Sequence, residues 1–177
     1  MQLTVYVYNS ARVAFGELAK AEEQAARIFE KVRIKVTWAV GQMVWEIKDQ
    51  TGQQWNPADI QVRIYTRPMV TKLARNDCLG YSLPPDTMQA VILYDNIQKA
   101  AQLQSTSPAV LLGLAIAHEI GHILLQGHSR TGIMQAHLFP KNLRDAEQGA
   151  LVFTREQGAS MRSEVRRRAE IQVAGKR

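Results

Sequence analysis

One cysteine, Cys78, stands in the 177 residues, and a single thiol cannot close an internal disulfide. A disulfide-stapled scaffold is excluded, while the compartment stays open, because a reducing cytosol and a disulfide-free secreted protein both tolerate such a chain. Uninterrupted hydrophobic runs are also missing. The longest apolar stretch, "AVLLGLAIAHEIGHILL", carries two histidines and a glutamate, which would be costly in a bilayer; it reads as a buried core helix, and no membrane partner is expected. The opening "MQLTVYVYNS" lacks a basic segment followed by an apolar core. No signal peptide is therefore expected, which means a cytoplasmic protein if Met1 is the native start and a secreted or periplasmic one if the chain is a processed segment. Internal repeats, low-complexity tracts and linkers are absent as well.

What is present is the composition of an ordinary globular protein, 46% hydrophobic and 21% charged, long enough to bury a core without a metal to hold it together. A metal, if bound, would serve chemistry more than folding. The net charge of +6 could suggest nucleic acid, but the last 24 residues, 154–177, hold seven Lys or Arg against three Glu. Most of the excess thus sits in one terminal segment with no stacking aromatics among its arginines. A solvated helix face is the expectation, and no nucleic-acid partner.

Periodicity places the elements. "LTVYVYN" alternates as a first strand, and Leu18, Ala21, Ala25, Ile28 and Val32 recur at spacings of three and four, predicting a helix from about Ala11 to Val32. "RIKVTWAV" and "DIQVRIYT" predict two more strands, with a polar excursion, "GQMVWEIKDQTGQQWNP", between them. "CLGYSLPP" suits a short edge strand, because its prolines cannot donate to a ladder on both sides, and "AVILYDN" suits a more buried one. Ser107-Pro108 marks the start of the apolar helix and Gly127 its stop. A short helix from about Asn142 ends at Gly149, and Thr154-x-x-Gln157 forms a capping box opening a last helix.

The whole chain has four histidines, His118, His122, His128 and His137, and three of them lie within "HEIGHILLQGHS". On a helix, His118 and His122 share one face about one turn apart, roughly 6 Å at Cβ, a separation at which two imidazoles hold one zinc ion. Glu119 is badly placed to ligate the same ion but can reach a water beside it. His128, just past a glycine able to turn the chain, is positioned as the third ligand, leaving a fourth place for water. Three imidazoles on Zn²⁺ bring the pKa of bound water to about 7, and a neighbouring carboxylate can take its proton during attack on a carbonyl. The competing reading is a pair of core histidines satisfied by hydrogen bonds, which must meet the cost of burying two histidines and a glutamate together.

His118-Glu119-x-x-His122-x-x-Leu125-x-x-His128 resembles the extended zinc signature of the metzincin endopeptidases, and "GHS" with the following "GIM" is closest to the matrixin branch. The resemblance covers most of the chain. It implies an α+β fold with a mixed twisted sheet, an antiparallel edge strand, a backing helix, an active-site helix and a C-terminal helix. One catalytic domain over 1–177 is implied, with the sheet and active-site helix in 1–127 and a Met-turn and C-terminal helices in 128–177. One Zn²⁺ on His118, His122 and His128 is implied, with Glu119 as general base, in a monomeric endopeptidase acting on peptides or proteins.

Met134 would be the Met-turn residue packed under the histidine rings, or else an ordinary core methionine. Substrate would lie extended along the edge strand at Gly80 and Tyr81, unless these serve only a turn and a core contact. Three departures stand out. The family pattern has glycine at the position of Leu125, a tyrosine found in some branches is replaced by Ala136, and no cysteine-switch segment is seen. His137 could stabilise a tetrahedral intermediate or simply be a surface residue. Glu147, 25 residues beyond His122, is a rival third ligand of gluzincin type, although Leu151 stands where that pattern has aspartate. Two other functions share the site: a zinc-bound peptide-binding module with little turnover, and a metallohydrolase of non-peptide amides.

Overall fold

The computed structural model describes residues 1–41, 59–69, 78–84, 87–125, 127–137 and 140–174. Its first strand, β1 (Gln2–Asn9), alternates as expected, with Leu3, Val5 and Val7 turned inward. The helix that follows, α1 (Phe15–Lys31), begins four residues later than the periodicity suggested, and buries Ala21, Ala25, Ile28 and Phe29 on one face. Strands β2 (Lys35–Val40) and β3 (Ile60–Tyr65) both pair with β1 in parallel. Most of the polar excursion expected between them lies outside the described residues. The short β4 (Gly80–Ser82) pairs antiparallel with β5 (Gln89–Leu93), and β5 runs parallel to β3, so the sheet order is β2-β1-β3-β5-β4. The expected antiparallel edge strand is therefore present, at one border of a mixed five-stranded sheet.

One helix escaped the sequence reading. The segment "AVILYDN" was expected to be strand throughout, but β5 ends at Leu93 and α2 (Tyr94–Leu103) starts at the next residue. Its inward positions are Tyr94, Ile97 and Ala101, a helical period hidden by the apolar strand directly before it. The apolar helix is α3 (Pro108–Leu124), with Pro108 in its first turn; the Ser107 hydroxyl, contrary to expectation, makes no capping bond. Nor does α3 run on to Gly127. It ends at Leu124, and Leu125 is already extended at φ −131, ψ 148.

Two helices complete the described chain, α4 (Pro140–Glu147) and α5 (Arg155–Ala174). The capping box at the start of α5 is formed: the Thr154 N–H donates to Gln157 Oε1 at 2.8 Å, and the Gln157 N–H donates to Thr154 Oγ1 at 3.2 Å. This satisfies two amides that no helical carbonyl reaches.

Helices α1 and α3 pack against each other, and α3 lies against β4 and β5. The core they enclose runs from Val5, Ile60 and Ile92 in the sheet through Phe29 of α1 to Leu112, Ile116 and Ile120 of α3. Among the described residues no helix is long and apolar enough to cross a membrane. The arrangement seats the C-terminal part of α3 beside the edge strand β4, where Gly80 lies against Glu119.

Candidate metal centre

His118 and His122 stand one turn apart near the end of α3, where the helix emerges from the core, and both are half-buried. His128 lies beyond the helix on an exposed stretch, and its ring turns back toward the other two. The Nε2 atoms of His118 and His122 are 3.0 Å apart, and those of His122 and His128 are 3.2 Å apart. One nitrogen from each ring falls within 4.8 Å of the others, a grouping that could hold a metal ion.

Two ligand nitrogens at about 2.05 Å from a tetrahedral ion lie roughly 3.3 Å apart, so the observed separations suit zinc. They are also of hydrogen-bond length, but a single Nε2–H on His122 could donate to only one of its two neighbours. The Nδ1 of His118 donates to the Ile133 carbonyl at 2.8 Å, which leaves its Nε2 as a lone pair aimed at the cluster. Burial is the main cause holding both helix histidines below the ordinary imidazole pKa, His122 down to about 4, with the neighbouring rings adding to it. They are neutral at pH 7, the state a metal requires. A core pair satisfied by hydrogen bonds alone would have no need to point three such nitrogens at one spot.

Glu119, one residue along the helix, is 6% exposed. Burial pushes its carboxyl up to about 8, against a hydrogen bond from the Ser82 main chain that works in the opposite direction. A buried carboxyl raised in this way is one that a nearby cation would return to its charged form. The edge strand comes this close because residue 80 is glycine. A Cβ there would lie 2.7 Å from the Val91 carbonyl oxygen and 3.1 Å from Cγ of Glu119. Gly80 thus admits both the sheet partner and the carboxylate. Tyr81 beside it is half-buried, its hydroxyl pushed up chiefly by burial.

A turn through Ile133 and Met134 packs against α3 beside His118 and Gly121. Met134 is fully buried, its sulfur against Gly121, the residue before His122, with Phe153 on the same spot. The turn is tied by the Ser129 N–H to the Met134 carbonyl at 2.8 Å and by the Ile133 N–H to the Val152 carbonyl at 3.1 Å. The same Ile133 therefore anchors the turn through its N–H and orients His118 through its carbonyl.

Neither this fold nor this site is signalled by a close relative: no protein-family profile matches the chain, and no curated protein does. Among solved structures, a crystal structure of a zinc-dependent peptidase from Methanocorpusculum labreanum superposes with a TM-score of 0.55. The fold is similar to that of a zinc peptidase. The likeness covers 90% of this chain and 99% of the other at 15% identity.

Two candidates lie away from the cluster. Glu147 is exposed at the end of α4, and accepts a hydrogen bond from the Thr106 hydroxyl at 2.6 Å; it is not among the residues that converge with His118 and His122. His137 is exposed after the turn and is likewise outside the cluster. Sequence reasoning missed the Ser82 main chain at Glu119 and the Ile133 carbonyl at His118. Both act through backbone atoms brought close by the tertiary fold, and no residue type announces them.

Proposed function

We propose that this chain is a zinc-dependent endopeptidase of metzincin type, and the observation that carries the reading is the convergence of the His118, His122 and His128 Nε2 atoms. The likeness in fold to a zinc-dependent peptidase supports it. One zinc ion per chain would be held by these three histidines; bound there, it supplies Lewis-acid polarisation of a carbonyl and a more acidic water. Glu119 is the general base, taking the proton of the attacking water and returning it to the departing amine. His118 is kept in the ligating tautomer by the Ile133 carbonyl.

Met134, in its tied turn against Gly121, is read as the Met-turn residue, and "GHS" with "GIM" supports the matrixin branch within the family. The substrate is a peptide or protein laid along β4, whose antiparallel pairing to β5 supports an extended strand on its other side at Gly80 and Tyr81. The reading is of a single catalytic domain acting as a monomer, with no nucleic-acid or membrane partner.

Metal analysis of the purified protein, joined to digestion of casein or a peptide library with and without a chelator, tests it. About one zinc per chain and chelator-sensitive cleavage are the expected result. A chain that takes up no zinc when zinc is supplied would end the proposal. Zinc without cleavage of any peptide would leave a peptide-binding module, and hydrolysis confined to small amides would make it a metallohydrolase of another substrate class.

A further inference from the structure

His128 reaches the other histidines only because the chain leaves α3 abruptly. In an α-helix each carbonyl accepts from the N–H four residues on, so a helix continued beyond Leu124 would seat the Gly127 N–H on the Ile123 carbonyl. Here the helix has already ended: Leu125 is extended and Gly127 sits at φ +84. The Ile123 carbonyl accepts instead from Arg168 Nη2 at 2.9 Å, a side chain 45 residues further along, in α5. Arg168 is 9% exposed. Its Nε donates to Glu164 at 2.6 Å, and its Nη1 lies against the Met88 sulfur. Its cation stands at the C-terminal end of α3, where the helix dipole favours positive charge.

Resting on the zinc reading above, we propose that Arg168 is a positioning residue for the metal centre. By occupying the Ile123 carbonyl it ends the metal helix at Leu124 and releases the chain beyond to bring His128 onto the cluster. Leu125 cannot adopt a left-handed cap cheaply as a glycine would, so the helix is stopped by a donor from another element. The geometry around it is consistent. Glu164, which holds the guanidinium, lines a cavity together with Leu124, Leu125 and His128, so the carboxylate partner of Arg168 and the third histidine border one space. Helix α5 has an independent attachment as well, where Arg162 Nη1 donates to the Val32 carbonyl at 2.8 Å. That bond is also arginine to helix-end carbonyl, but it lies at the end of α1 and serves as a matched control.

The test is zinc affinity of the full chain, measured by competition with a chromophoric chelator, with circular dichroism and thermal unfolding of the metal-free protein as a check on the fold. Arg168→Gln should weaken zinc binding by about 10- to 100-fold, no more than is lost when a group bonded directly to a ligand is removed. Arg168→Lys should recover part of the loss, because an ammonium can still donate to the carbonyl; it also carries the test if the glutamine variant does not fold. Arg162→Gln should leave affinity unchanged. In a His128→Ala background, Arg168→Gln should cause no further loss, because its effect runs through His128. Equal losses from Arg162→Gln and Arg168→Gln, or a full additional loss in the His128→Ala background, would overturn the inference. A wild-type chain that binds zinc while Arg168→Gln binds it equally well overturns this inference alone. A wild-type chain that takes up none overturns the zinc reading and this inference together.

Discussion

The helix-borne pair, His118 and His122, and the loop-borne His128 meet at one point by different means. The pair is spaced by the pitch of α3 and set by a helix packed into the core. Its geometry survives as long as that helix does. His128 is exposed, beyond the end of α3 and next to Ser129, which is tied to the Met134 carbonyl; in the proposal above its place also depends on the contact of α5 with the Ile123 carbonyl. A local period is cheap to maintain, whereas a loop ligand must be held by groups distant in sequence. The second kind is where variation should act most readily.

The largest effect tests the half of the site that the helix provides. Glu119→Ala should retain zinc and lose peptide hydrolysis by about 10²- to 10⁴-fold, because the proton acceptor is gone while all three histidines stay. Steady-state kinetics beside metal analysis would check it, and turnover close to wild type would remove Glu119 from the role of base. The loop half is tested by His128→Ala. Zinc affinity should fall by more than the roughly 10- to 100-fold typical of removing a group that only supports a ligand, since a ligand itself is lost; a chelator titration showing no change would break the comparison outright.

Gly121→Ala probes the seam between the two halves. Its Cβ would collide with the Met134 sulfur and lie 3.0 Å from the Phe153 ring. Overpacking of this kind should cost about 1–3 kcal/mol, read by denaturant unfolding. Leu125→Gly should cost about 0.4–1 kcal/mol for the backbone entropy, plus the lost packing of its partly buried side chain, with the metal site intact, because the extended conformation of Leu125 needs no glycine. A steep loss of zinc there would mean that the Leu125 side chain, which packs against the core, also steadies His128. Least of all, Glu147→Ala should leave zinc affinity where it was, because that carboxylate is engaged with Thr106 away from the cluster. A zinc titration in which Glu147→Ala outweighs His128→Ala would reverse the assignment.

The elements with a clean period were readable from the chain, and so was the one-turn spacing of the two histidines in "HEIGH". Strand β1 alternates from Gln2 to Val7, and the Thr154 capping box needs only its own four residues. Helix α2 was not readable, because its first turn follows β5 without a loop and the apolar strand masks the change of period. The end of α3 was misplaced at Gly127 for a related reason. Glycine is the usual local sign of a stop, and here the carbonyl at the stop is satisfied by a residue 45 positions away.

By itself, then, the sequence determined the identity of the candidate ligands and base, and the one-turn spacing of His118 and His122, because helix pitch follows from backbone geometry alone. Only the tertiary structure decided that His128 rather than Glu147 converges with them, that the Ile133 carbonyl meets Nδ1 of His118, and that Gly80 lets the edge strand down onto Glu119. Those outcomes rest on carbonyls, amides and close approaches between elements far apart in the chain, whose geometry exists only once the helices and the sheet have packed.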